Sequence, residues 1–200
     1  MDGRLFIVSA PSGTGKTVIL KEVLSRVANI FFSVSYTTRQ SRKGELDGRD
    51  YHFIGQPLFQ SMITEGAFLE WKDVHGSLYG TASEPVIELL RQGKDVLLDI
   101  DVQGTATILR ERQVPATTIF IAPPTMAELE IRLRKRGSEN EADIGRRLAK
   151  GRQEMTERKK YDYLVVNDVL EDAVKMTCAI IYAERSRYCR DMTGAVINLD

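Results

Sequence analysis

An α/β fold with a largely parallel sheet is what this 200-residue sequence predicts, on three observations. Short apolar runs of strand length alternate with stretches of helical periodicity through most of the chain. The runs are aliphatic or β-branched, as core strands are. A glycine-rich turn separates the first such run from the first helical stretch.

Taken in order, Leu5 to Val8 reads as a buried strand, and after the turn Leu20, Val23, Leu24 and Val27 fall on one helix face. Residues 36 to 82 break the rhythm with short pieces such as "YHFI" and "FLEW" between glycines, which predicts a small β-rich insertion with Phe68 and Trp71 in its core. Ser83-Glu84-Pro85 opens a helix that Gly93 closes. "DVLLDID" (95 to 101), "TTIFIA" (117 to 122) and "YLVVND" (163 to 168) are further core strands. Thr125 with Glu128 forms a capping box for a helix ending at Gly137, and Ser138 with Glu141 repeats the signal. Residues 137 to about 160 are polar and arginine-rich. The last helix, from about Val169 to Tyr188, shows Val169, Ala173, Met176 and Ile180 on one stripe and is expected to pack on the sheet.

Bulk properties narrow the function. One domain suffices for this length, burying roughly 70% of the surface of the extended chain. Twenty-eight basic and 28 acidic side chains cancel, so any charge-based binding must be local. No apolar run approaches a membrane span, and no secretory signal opens the chain. Cys178 and Cys189 form neither a disulfide framework nor a zinc pattern, so a cytoplasmic protein is expected.

Strand, glycine-rich turn and helix is the context in which backbone N–H groups converge on a phosphate. The turn comprises Ala10, Pro11, Ser12, Gly13, Thr14 and Gly15, followed by Lys16, which can reach outer phosphates, and Thr17, whose hydroxyl can ligate magnesium. The usual pattern begins with glycine where this chain has Ala10, which is tolerated only at negative φ. Asp99, ending an apolar strand, is placed to hold magnesium, or serves as a turn aspartate.

In "TTRQSRKGELDGRDYHFI" (37 to 54), the spacing of Thr38, Arg39, Arg42, Glu45, Gly48, Tyr51, Phe53 and Ile54 closely resembles the signature of guanylate kinases. "SAPSGTGKT", "SVSYTTR", "FLEW", "LYGT", "LLDIDVQG", "FIAPP", "LRKRG" and "VVND" follow in that family's order. The resemblance, to the bacterial type, implies a P-loop nucleoside monophosphate kinase fold over residues 2–187. Residues 36–82 would be the GMP-binding insertion, 137–160 the lid and 188–200 a tail.

It further implies ATP and magnesium as cofactors and GMP or dGMP as acceptor. Arg39, Arg42, Tyr51 and Tyr79 would surround the acceptor's phosphate with forked, charge-assisted donors. Glu70, Ser35, Thr81 and Asp101 would read guanine, and Glu45 would orient the arginines or the nucleotide through hydrogen bonds. Lys16, Arg39 and the lid arginines Arg132, Arg136 and Arg147 would offset charge in the transition state, and Asn167 would lie on the ATP side.

Plainer roles stay open: a solvated pair for Arg39 and Arg42, turn or strand-end duties for Ser35, Thr81 and Asp101, and an exposed mixed-charge helix for the lid. A surplus of four cations over residues 128–160 lacks the interleaved aromatics of a nucleic-acid surface. His52 and His75 belong to no motif. The rival function is a catalytically inactive protein-binding module of the same family, and the oligomeric state is not readable.

Overall fold

The computed structural model describes residues 3–74, 76–111, 114–135 and 140–197. Five parallel strands form the main sheet in the order β2 (Ile30–Phe32), β7 (Asp95–Asp99), β1 (Leu5–Ser9), β8 (Ala116–Ala122) and β9 (Tyr163–Val166). Every residue of β1 is buried, because the central strand is covered on both faces. Phe6 and Val8 turn toward α1 (Lys16–Arg26) and α7 (Leu170–Arg187), while Leu5 and Ile7 turn toward α3 (Ser83–Arg91) and α4 (Val102–Glu111). The chain leaves β1 for one side of the sheet and later returns to the other. That switch places a crevice beyond the carboxyl end of β1, where ligands of open α/β sheets bind.

Residues 36–82 build a second sheet, ordered β4 (His52–Phe53), β3 (Tyr36–Thr37), β6 (Ser77–Ala82), β5 (Phe68–Val74). A helix that the sequence did not announce, α2 (Gln56–Thr64), covers it. Its single fully buried side chain, Phe59, stacks on Phe68 with ring centroids 4.5 Å apart. Trp71 is not core as expected: it is 47% exposed, because pleating turns it away from the face that carries Glu70 and Lys72.

Two further helices run from Met126–Lys135 (α5) and Glu141–Glu157 (α6), the latter followed by a 3₁₀ turn at Arg158–Lys160. Thr125 Oγ1 accepts from the Glu128 N–H at 3.0 Å, as the capping box requires. Asn140 caps α6 through the Asp143 N–H, in place of the expected Ser138, which lies outside the described residues with Arg136, Gly137 and His75. The stripe on α7 is corrected as well. Ala173 and Ile180 are buried as expected, but Val169 and Met176 are each 54% exposed, and the buried face runs through Ala173, Val174, Thr177, Cys178, Ile180, Ile181, Glu184 and Arg185. Three polar residues on that face, each hydrogen-bonded, hid it from a count of apolar positions.

Candidate active site

The phosphate loop joins the end of β1 to α1. Gly13 and Gly15 take φ of 95° and 99°, and a side chain on either would strike a neighbour, Leu133 Cδ2 at 2.7 Å or Asn167 Nδ2 at 2.6 Å. Among the described residues only Asn29 and Cys189 adopt positive φ without being glycine. Ala10 therefore keeps an ordinary φ, and its methyl group is buried in the core beneath the loop. Thr14 N–H closes the turn on Pro11 O at 3.2 Å. Lys16 Nζ lies 2.5 Å from Asp99 Oδ1 and donates to Ile100 O at 3.3 Å. Thr17 and Asp99 border one cavity, two hard oxygen donors of the kind magnesium accepts when phosphates complete its shell.

From the other side, α5 and the end of β9 hold the loop. Asn167 Nδ2 donates to Thr14 O at 2.7 Å, and Arg132 Nη1 donates to Asn167 O at 2.9 Å and Thr14 O at 3.4 Å. Thr14 Oγ1 and Asn167 Oδ1 are buried without a hydrogen-bond partner, an unmet capacity that a nucleotide at this loop could satisfy. Helix α6 lies over the same loop. A Cβ on Gly151 would sit 3.2 Å from Leu129 Cδ2 and 3.6 Å from Pro11 Cβ, so the glycine permits the approach. One turn earlier, Arg147 Nη1 donates to Ser12 Oγ at 3.0 Å.

Across the crevice stands a second cationic group. Arg39 forks onto Glu45 at 2.9 and 3.0 Å, donates from Nε to Tyr79 Oη at 3.1 Å and from Nη1 to Gln40 O at 2.7 Å. The hydrogen bonds from Arg39 and from the Arg42 N–H hold the Glu45 carboxyl below the usual range. Tyr51 stands 5.8 Å from Tyr79, edge to face, with the Arg39 guanidinium 5.3 Å from its ring centre. Burial raises the Tyr51 hydroxyl. Arg42 is exposed and joins through its backbone N–H, 2.7 Å from Glu45 Oε2, so its side chain is not drawn into the group.

Between these groups lies a cavity of about 480 Å³ that Ser35, Glu70, Tyr79, Asp99 and Asp101 line together. Glu70 is buried, accepts from Thr81 Oγ1 at 2.7 Å, and has its carboxyl pushed up by desolvation. Asp101 is also mostly buried, which by itself would raise its carboxyl. Hydrogen bonding and charge from Lys72, with the Gly104 N–H at 3.1 Å, outweigh that and hold it low. Lys72 and Lys150, the latter 4.0 Å from Asp101, escaped the sequence reading because nothing local marks a lysine whose partner lies far along the chain.

A parallel sheet with a phosphate loop at its switch point and a facing cationic group defines the P-loop kinase fold. A family model described as guanylate kinase matches residues 2–184. The guanylate kinase of Desulfotalea psychrophila is 49% identical over 98% of this chain and 97% of its own length, and that of Thermotoga maritima 47% over 96% and 92%. A solved guanylate kinase from Anaplasma phagocytophilum superposes with a TM-score of 0.73 at 31% identity, covering 91% of this chain and 86% of that one. The chain belongs to the guanylate kinase family.

Proposed function

We propose that this enzyme transfers the γ-phosphoryl group of ATP to GMP or dGMP, giving ADP and GDP or dGDP, as a cytoplasmic step of purine nucleotide metabolism. The observation that carries the reading is a buried carboxylate, Glu70, paired with Thr81 between two cationic groups that face each other across one crevice. Guanine presents donors at N1 and its exocyclic amine, which ionised Glu70 and Asp101 would accept, while Ser35 and Thr81 complete the base pocket. A buried acceptor left without its donor is what rejects the wrong base.

Lys16 would leave Asp99 for the outer phosphates of ATP, lying over Ala10 to Gly15 with Asn167 at the base. Arg39 has one N–H of Nη2 left over after its four hydrogen bonds, and Arg42 swings in to share the acceptor phosphate with Tyr51 and Tyr79. Arg132 and Arg147 add positive charge beside the phosphate loop, and the family pattern adds Arg136. Thr17 and Asp99 would hold magnesium, which supplies further neutralisation of the triphosphate. Two mutually repelling anions brought into line with their charge offset need no covalent intermediate.

Small nucleotides, and no nucleic acid or membrane surface, are the partners proposed; among the described residues no helix is long and apolar enough to cross a membrane. A coupled ADP-release assay with GMP, AMP, UMP and CMP tests the reading. Turnover is expected with GMP. Activity with AMP alone overturns the base assignment, and GMP binding without turnover leaves the protein-binding module. Replacing Lys16 with Met should lower kcat by about a thousandfold while GMP still binds.

A further inference from the structure

Lys72 stands inside the crevice. On β5 it shares a face with Glu70, and the hairpin register sets Glu70 opposite Thr81 and Lys72 opposite Tyr79. Lys72 is thus one pleat from the proposed base-reading pair toward the proposed phosphate-binding tyrosine. Its ammonium does not point into open solvent but pairs with Asp101 Oδ2, in the connection between β7 and α4. The other oxygen, Oδ1, accepts the Gly104 N–H at 3.1 Å. One hydrogen-bond donor on each oxygen fixes the plane of the carboxylate, and Lys150 Nζ, 4.0 Å from Oδ2, adds charge without a hydrogen bond. A carboxylate has about four lone-pair sites, so two are left for a ligand. Glu70 occupies the neighbouring wall, its Oε2 3.0 Å from where a Cβ on Gly104 would lie, so the helix start that fixes Asp101 also abuts Glu70.

We infer that Lys72 is a positioning residue for the acceptor base: by pinning Asp101 beside Glu70, it builds the acceptor for the exocyclic amine that distinguishes a guanine from a hypoxanthine nucleotide. This rests on the reading that GMP is the acceptor. Lys72 does not touch the reacting atoms, so its removal acts on base selection and leaves the phosphate chemistry alone. The Lys72→Met variant keeps the aliphatic stem and deletes only the charge and its donors.

The test is calorimetric titration of full-length wild type, Lys72→Met and Lys72→Arg with GMP and with IMP, alongside steady-state kinetics and melting temperatures. Lys72→Met should weaken GMP about tenfold, the loss of one charge-assisted hydrogen bond's worth of alignment. IMP, which lacks the amine, should change by less than about twofold, since its hydrogen bonds do not involve Asp101. The KM for ATP and the kcat at saturating GMP should hold, and Lys72→Arg should restore the GMP to IMP ratio. An unchanged ratio overturns the inference, whether neither affinity moves or both fall together; the second result would put Lys72 on the ribose or phosphate common to both. If wild type prefers IMP or AMP to GMP, the base assignment fails and this inference with it.

Discussion

Two arginine–carboxylate assemblies in this molecule use the same groups and reach opposite ends. In the insertion, Arg39 forks onto Glu45 with side chains 16% and 22% exposed. At the start of β7, Asp95 receives Arg185 Nε at 2.7 Å on one oxygen and Arg190 Nη1 on the other, all three side chains at most 2% exposed. Carbonyl groups of Ala28, Gly93, Met192 and Gly194 take further guanidinium protons there. Ions that stay hydrated can trade a protein partner for a ligand at small net cost. Ions stripped of water cannot, because each would be left with its full desolvation penalty. Exposure, and not the pairing itself, separates a grip from a rivet.

Breaking the buried assembly should have the largest effect. Asp95→Asn leaves two guanidinium groups without a counter-charge and should lower unfolding free energy by about 3–5 kcal/mol, read from urea denaturation. Equal stability of the variant would show that the burial argument is wrong. Next is Arg39→Lys, which removes a planar fork and should raise the KM for GMP about a hundredfold with the urea midpoint unmoved. Glu45→Gln should be milder, roughly fivefold in the same KM, since a partly exposed pair that merely aims a guanidinium is worth little by itself. A larger loss, or a shifted melting curve, would mean that Glu45 is structural after all.

Acidification sharpens the contrast within the crevice with the smallest signal. Burial raises the Glu70 carboxyl and Arg39 lowers that of Glu45, so a falling pH protonates Glu70 first. A protonated Glu70 can no longer accept two donors, so GMP affinity should decline above the usual carboxylate range while the Arg39–Glu45 pair persists. For the unliganded protein the sign reverses. A carboxyl raised in the folded state binds protons before the unfolded chain does, so the Glu70 contribution to stability grows on acidification and is lost as pH rises through its folded value. Titrations of GMP binding at several pH values, with Glu45→Gln beside wild type, would separate the two carboxylates.

The parallel sheet and phosphate loop were legible because their signals are local: apolar runs of strand length, and glycines at fixed spacing before a lysine. What escaped was either short or polar. β2 has three residues, two of them exposed, and α2 buries only Phe59 completely, so neither carries enough periodicity to register. Helix α4 buries Gly104 and Thr105 beside Ile108, small residues that do not read as a core face. On α7, Glu184 and Arg185 count as surface by composition and are buried by partnership. Within the crevice, the residue types resembled a known signature, so Arg39, Glu45, Glu70, Thr81 and Asp101 could be named. Their pairings, and Lys72 among them, depend on contacts across 6 to 29 positions that no local pattern encodes.

Asp95 also accepts the Arg4 N–H at 2.8 Å, so the opening strand and the last folded segment meet on one carboxylate. During synthesis that acid leaves the ribosome long before Arg185 and Arg190 do. A nascent chain in which β7 has docked beside β1 must bury an acid whose cations have not yet been made, or wait. The residues lining the crevice are all translated before those two arginines, so the site's side chains exist in the chain before the cations that neutralise Asp95 do.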